Sequence, residues 1–167
     1  ARGELPNLLR AVDQALTARD PASVAFVGKV TRFLRLFGRS GEAASLACRA
    51  ESLAGEVGSE SWCLAQSIRG EHLLESGHAE EAKVYFESIL KTLGESPSGE
   101  LAVVLAWLGR CHRACGRANS AETMFRRGIA VTEALDQTRK VRRHGAVLHA
   151  ALGDILELQS RLVEART

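Results

Sequence analysis

The ten residues "GRANSAETMF" (116–125) decide the fold, because the chain repeats their pattern twice upstream. "GHAEEAKVYF" stands at 77–86 and "GRSGEAASLA" at 38–47, so successive blocks begin 39 residues apart. In every block a glycine is followed five residues later by an alanine, and four residues after that by an apolar residue. A fixed period of this length is typical of stacked helical repeats, in which no single unit buries its own apolar face.

The apolar positions within each block have the spacing of an amphipathic helix. Four columns recur at the 39-residue period: Ala43, Ala82 and Ala121; Ala47, Phe86 and Phe125; Ala50, Ile89 and Gly128; Leu46, Tyr85 and Met124. The block glycines, Gly38, Gly77 and Gly116, stand between one helical pattern and the next, as C-terminal caps do. The pattern therefore predicts pairs of helices joined by short glycine turns.

No segment shows the alternation of a β-strand, and we predict an all-α fold of antiparallel helical hairpins. About eight helices are expected, at roughly 5–18, 21–37, 41–56, 60–76, 79–94, 98–115, 118–136 and 139–164. Ser96 followed by Pro97, and Asp20 followed by Pro21, suggest a cap residue and a first-turn proline. The chain is expected to form one domain over 1–167: a partial repeat at 1–19, repeats at about 20–58, 59–97 and 98–136, and a capping helix at 137–167.

The composition is that of an ordinary soluble protein. Apolar residues make up 46% and charged residues 25% of the 167, and the formal net charge is only +2. So small a charge disfavours nucleic acid as a partner, and no apolar run reaches the roughly 18 residues of a membrane span. The four cysteines are irregularly placed and do not form a disulfide framework. We expect a cytoplasmic protein without a membrane partner.

The paired helices resemble tetratricopeptide repeats, which have a glycine at the turn, an alanine five residues later and a Phe or Tyr four beyond. The family also carries a small residue seven positions before the turn glycine; Gly70 and Gly109 fit, whereas Thr31 does not. The family's usual period is about 34 residues, and its first-helix Trp and Tyr are mostly absent here. The resemblance is to a lengthened variant, and it implies a right-handed superhelix with a concave groove that binds a partner.

In that family the positions one and four residues beyond the small residue face the groove. The corresponding residues here are Arg32, Arg35, Glu71, Leu74, Arg110 and Arg113. Four of the six are arginines, and the planar guanidinium group of an arginine binds a carboxylate through two parallel hydrogen bonds. The resemblance therefore implies a protein or peptide partner with acidic character. The alternative is that these arginines pair with Glu71, Glu42 or other local acids; no Asn matches the family's clamp for a peptide carboxylate.

A second resemblance involves the opening stretch "ELPNLLRAVDQAL" (4–16). It is similar to the segment that introduces helical repeats in some bacterial STAND signalling ATPases and related regulators. This resemblance implies a sensor or docking region, although the chain has no phosphate-binding Gly-Lys-Ser/Thr loop. The leading expectation is a non-catalytic protein-interaction module in signalling or regulation. The alternative is a small-molecule-sensing regulatory domain of a STAND-like protein.

Residues that could carry chemistry have simpler structural interpretations. Cys111 and Cys115, with His112 between them, supply too few ligands for zinc and lie on an apolar face, as do Cys48 and Cys63. No nucleophile motif accompanies the histidines, so we expect no enzyme activity, metal or cofactor. The basic run "RKVRRH" (139–144) fits a solvated helix start better than a nucleic-acid or phosphate site. The apolar stripe of the last helix predicts a cap, or alternatively a homodimer contact.

Overall fold

The computed structural model describes residues 4–18, 23–53 and 55–164, with side chains up to residue 160. These ranges contain eight α-helices and no strand, which confirms the all-α prediction. The helices are α1 (Glu4–Thr17), α2 (Ser23–Leu36), α3 (Ser40–Glu51), α4 (Glu60–Glu75), α5 (Ala79–Leu93), α6 (Gly99–Ala114), α7 (Ala118–Glu133) and α8 (Arg139–Glu164).

Two helices end earlier than predicted, each for a local reason. α3 stops at Glu51 instead of about residue 56, and Gly55 follows with a φ of 71°, a left-handed conformation that a helix cannot contain. α7 stops at Glu133 instead of about 136. There the Gln137 side-chain amide donates hydrogen bonds to the carbonyl oxygens of Thr132 and Leu135, at 2.8 and 3.0 Å. A side chain from beyond the helix thus donates to backbone carbonyls that would otherwise accept hydrogen bonds from the N–H groups of a further helical turn.

One predicted cap is wrong by two residues. The N-cap of α6 is Ser98, whose hydroxyl accepts a hydrogen bond from the Leu101 N–H at 3.0 Å, and not Ser96. Pro97 therefore precedes the cap instead of opening the helix. The other proposed cap, Asp20 with Pro21, lies outside the described residues.

The three turn glycines adopt one conformation. Gly38, Gly77 and Gly116 have φ values of 73°, 85° and 73°, as predicted for C-terminal caps. Each glycine N–H donates to the carbonyl three residues back, and the N–H of the next residue donates to the carbonyl five residues back. This Schellman arrangement satisfies the last carbonyls of α2, α4 and α6 in the same way. The 39-residue period of the sequence is thus also a period of the backbone.

The described chain divides into two compact units, 1–72 and 73–167, with the boundary inside α4. Buried residues of the first unit come from α1, α2, α3 and the first part of α4: Val12, Leu16, Val24, Val27, Val30, Leu34, Ala43, Leu46, Ala47, Ala50, Ala65 and Ile68. A core cluster of the second unit joins α6, α7 and α8 through Ala102, Ala121, Phe125, Ile129, Leu148 and Ile155. The first three predicted columns are buried in every repeat, whereas Tyr85 and Met124 of the fourth are half-buried.

Small residues allow close helix contacts within the second unit. A Cβ atom added to Gly109 of α6 would lie 2.3 Å from Cε1 of Phe125 in α7. A Cβ on Gly128 of α7 would lie 2.8 Å from a methyl carbon of Leu148 in α8. Real Cβ atoms do not approach other atoms so closely, so both positions require glycine for this packing. The prediction that Gly109 permits close helix contact is confirmed.

α8 packs on α6 and α7 along one stripe. Val141, Leu148 and Ile155 are buried at seven-residue spacing, whereas Val147 and Leu158 on the edge of the stripe are exposed. This contact covers the face of α7 that carries Phe125 and Ile129, and the homodimer alternative stays a prediction. Within the part of the chain that the structure describes, no helix combines the length and apolar character needed to cross a membrane.

Candidate functional site

In the first unit, the predicted groove residues Arg35 and Glu71 form a buried ion pair. Arg35 Nη2 lies 3.0 Å from Glu71 Oε2, and both side chains are only 9% exposed. Removing water from either charge alone would cost several kcal/mol, so each is tolerated because the other is present. The pair joins α2 to α4 within the unit. Arg35 therefore has the local pairing that the sequence left open as an alternative.

Arg32 lies beside the same carboxylate but in a different environment. Its Nη2 is 3.5 Å from Glu71 Oε1, and its side chain is 65% exposed. A contact of this length at the surface contributes little to stability. Glu71 also stands one period after Arg32, in the same column of the repeat. Most of the Arg32 guanidinium can therefore reach a partner without breaking a strong bond.

In the second unit, aromatic rings hold Arg110 in place. The Phe86 and Trp107 rings are stacked nearly parallel, with centroids 5.8 Å apart and an interplanar angle of 1°. The Arg110 guanidinium carbon lies 4.2 Å from the centroid of the Trp107 ring. A cation over an aromatic face is stabilised by the ring quadrupole, by about 0.5–1 kcal/mol at an exposed site. This contact restricts the Arg110 side chain before an anion binds. Binding therefore costs less side-chain entropy.

Arg113 and Leu74 complete the predicted set. Arg113 Nη1 lies 3.3 Å from Asp154 Oδ2 of α8, and both side chains are largely exposed. Exposed pairs of this kind contribute roughly 0–1 kcal/mol and exchange readily for a competing carboxylate. Leu74 is half-buried, and its carbonyl accepts the hydrogen bond from Gly77. The Leu74 carbonyl thus stabilises the turn, and only the exposed part of the Leu74 side chain is available to a partner.

The structure also exposes an apolar cluster that the sequence analysis missed. Phe33, Leu36 and Phe37 of α2 and its turn are 39%, 80% and 61% exposed. The signal was available in "RFLRLF" (32–37), where apolar residues occupy more of the helix circumference than one buried stripe needs. We call the exposed set Lys29, Arg32, Phe33, Leu36 and Phe37 the α2 patch.

The cysteine and histidine cluster has the character of a packed core edge. Burial raises the pKa of the Cys111 thiol to about 12, and burial also lowers the pKa of His112. These shifts keep both groups neutral near pH 7. Of the four cysteines, Cys48 is exposed, so the prediction that it lies on an apolar face is wrong. No cluster of three metal-ligating side chains occurs in the described ranges.

The basic run opens α8 and divides among several environments. Lys140 Nζ lies 3.2 Å from Glu100 Oε1, whereas the side chain of Val141 in the middle of the run is buried. A depression of about 170 Å³ lies beside it, lined by Thr132, Glu133, Gln137, Val141, Arg142, Gly145, Ala146 and His149. Small-molecule sites usually occupy about 300–1,000 Å³. The depression is too small to hold a ligand of ordinary size.

Comparison with known proteins adds no family assignment. No protein-family profile matches the chain, and none of the curated proteins is significantly similar to it. The tetratricopeptide and STAND resemblances rest on the residues quoted from the sequence.

Proposed function

We propose that the chain is a non-catalytic protein-interaction module of the tetratricopeptide type, which binds an acidic segment of a partner protein. In this proposal the hairpins stack into a right-handed superhelix, and the first helix of each hairpin contributes to the binding groove. The partner is a peptide or a neighbouring domain, and the role is in signalling or regulation. Extended surfaces of this kind are the usual contribution of helical repeats, so the step from fold to function is one of analogy.

One observation carries the proposal: arginines recur at equivalent places on α2 and α6. Arg32 and Arg35 precede Gly38 by six and three residues, and Arg110 and Arg113 precede Gly116 by the same intervals. Because the two turns share their hydrogen bonds and glycine conformation, each arginine pair has the same position relative to its turn.

The local environment leaves Arg32 and Arg113 largely exposed to an acidic partner. Arg35 is committed to Glu71, but Arg32 is mostly exposed, Arg113 has only a surface pair, and Arg110 is positioned over a ring. Guanidinium groups held in this way favour carboxylate or phosphate groups over neutral partners. The small-molecule alternative is not favoured by the depression beside α8, which is smaller than an ordinary ligand site.

The proposal is tested by reversing charge on α6. The variant carrying Arg110→Glu and Arg113→Glu, and the unchanged protein, are immobilised and exposed to native lysate, and bound proteins are quantified by mass spectrometry. A partner retained by the unchanged protein should fall at least about tenfold with the variant, as expected when charge-assisted contacts are replaced by repulsion. The candidate partner is then purified and titrated to obtain its Kd.

A matched control separates a local effect from a general change of charge. Arg126 and Arg127 lie on α7 and pair with Glu122 and Glu95, so Arg126→Glu with Arg127→Glu makes the same change of net charge on a second helix. This control should retain the partner, and all proteins should have the same helical circular dichroism. Equal binding by both variants, or no specific partner at all, would contradict the proposal.

A further inference from the structure

The α2 patch combines exposed rings with basic side chains on one helical face. Phe33 stands four residues after Lys29 and four before Phe37, while Leu36 stands four after Arg32. Residues at this spacing are neighbours on a helix surface. The Phe33 and Phe37 ring centroids are 4.7 Å apart and tilted by 47°, so the two rings form a continuous apolar surface.

The turn at Gly38 holds this surface in place. The Phe37 N–H donates to the Leu34 carbonyl at 3.1 Å, and the Gly38 N–H donates to the Arg35 carbonyl at 2.9 Å. Leu34 itself is fully buried in the core of the first unit. These hydrogen bonds and the buried Leu34 side chain hold the backbone of the patch in place. Binding of a partner would therefore cost little conformational entropy in this backbone.

Repeat architecture does not account for these rings. The positions of Phe33 and Phe37 correspond, two periods later, to Cys111 and Cys115 in α6. There Cys111 is fully buried and Cys115 is half-buried. At the register of Phe33 a small side chain is thus covered in α6, whereas Ser76, one period after Phe37, is exposed. The first unit differs in having two partly exposed rings at these positions. Exposed clusters of large apolar side chains usually mark interaction sites.

The charged residues of α2 itself are all basic. α2 contains Lys29, Arg32 and Arg35 and no Asp or Glu. Glu71 of α4 approaches this helix, and its short contact is with Arg35. Lys29 and the largely exposed Arg32 stand beside the rings on the helix surface. The apolar surface is therefore bordered by positive charge, which selects against basic partners and attracts acidic ones.

From these observations we infer that the α2 patch binds an acidic amphipathic helix of a partner protein. Bulky apolar side chains at i and i+3 or i+4 of that helix pack on Phe33, Leu36 and Phe37, and its Asp or Glu side chains meet Arg32 and Lys29. Aromatic anchors with neighbouring arginine are the residues that most often dominate binding energy. This inference rests on the proposed function and names the chemistry of the partner.

The probe is a phage-displayed library of random 16-residue peptides, selected on the complete chain. The most enriched peptide is then synthesised with a fluorescent label and titrated by anisotropy. We expect enriched peptides to combine Asp or Glu with Leu, Phe or Trp at helical spacing. Phe33→Ser should weaken the titrated peptide by about tenfold or more, and Arg32→Glu should weaken it and reduce the dependence of Kd on salt.

A matched control uses another exposed apolar residue. Val84 of α5 is 61% exposed, so Val84→Ser removes exposed apolar surface from a different helix. It should leave the Kd unchanged, and thermal unfolding should show that Phe33→Ser is folded. No enriched peptide, enrichment of basic peptides, or equal binding by Phe33→Ser and Val84→Ser would overturn the inference.

Two further outcomes separate this inference from neighbouring ones. If light scattering shows a dimer that Phe33→Ser converts to a monomer, the patch binds a second copy of this chain, and the inference is wrong. If the partner captured from lysate is lost with the α6 charge reversal but retained by Phe33→Ser, the proposed function stands and the assignment of its partner to the α2 patch fails.

Discussion

Replacing Gly109 by alanine tests the close packing of α6 on α7. The new Cβ would lie 2.3, 2.6 and 2.7 Å from three ring carbons of Phe125. Carbon atoms in protein cores are ordinarily about 3.5–4.0 Å apart, so the nearest ring carbon would have to move by about 1.2 Å. Phe125 is completely buried, and its displacement must push on other core residues.

Two opposing effects set the expected change in the free energy of unfolding. Alanine is more favourable than glycine inside a helix by about 1 kcal/mol. Forcing extra volume into a packed core costs about 1–3 kcal/mol, and an overlap with three ring atoms belongs near the upper limit. We therefore expect Gly109→Ala to destabilise the protein by about 2 kcal/mol, which lowers Tm by about 4–8 °C in a chain of this size.

Gly153 provides the matched control, because it lies inside α8 and a Cβ there would meet no atom within 4 Å. Gly153→Ala should therefore stabilise the protein by about 1 kcal/mol through helix propensity alone. Urea unfolding followed by circular dichroism at 222 nm measures both variants. The same chemical change should thus act in opposite directions at the two positions, with a difference of about 3 kcal/mol.

A double variant checks that the clash with Phe125 is the cause. Phe125→Leu shortens the side chain that the new Cβ would strike, so Gly109→Ala should cost clearly less in that background. The reasoning is refuted if Gly109→Ala is as stable as the unchanged protein. It is equally refuted if the cost is the same with and without Phe125→Leu.

Two predictions concern ionisable groups in the second unit. Hydrogen bonds from Lys83 and Arg117 lower the pKa of Glu80 to about 2 from its usual 4.5, so its contribution to stability is present above pH 4.5 and lost as the pH falls towards 2. Glu80→Gln should accordingly lower Tm at pH 7 but not near pH 2, and an equal loss at both would contradict this. Burial raises the pKa of Cys111 to about 12, so iodoacetamide at pH 8 should modify the exposed Cys48 and spare Cys111. Peptide mass spectrometry measures both modifications, and prompt modification of Cys111 would show that its thiol is not buried.

The helices and their turns could be predicted because each depends on a local pattern that recurs. Ala82 and Phe86 define the buried face of α5, and Gly77 supplies the left-handed turn before it. The end of α7 could not be predicted in the same way, because Gln137 caps it from beyond the helix. Side-chain capping of this kind depends on the path of the chain after the helix, which propensity does not encode.

The candidate site was predictable only in part. The repeat register identified Arg32 and Arg35 as neighbours on α2, and the column that holds Arg32 also holds the opposite charge of Glu71. Which arginine becomes buried with Glu71 depends on how α4 packs, so the sequence could not separate Arg35 from Arg32. The exposure of Phe33 likewise depends on what covers the helix, whereas the sequence shows only that the residue is apolar.

Contacts between successive repeats have a consequence for how the protein folds during synthesis. Arg113 bonds to Asp154, 41 residues later, and Lys140 bonds to Glu100, 40 residues earlier. At about 5–20 residues per second, a ribosome delivers the later partner within about 2 to 8 seconds. The hairpin of α6 and α7 therefore waits only seconds for the α8 residues that cover it. The apolar face of that hairpin is thus open to a chaperone on the growing chain only for a short time.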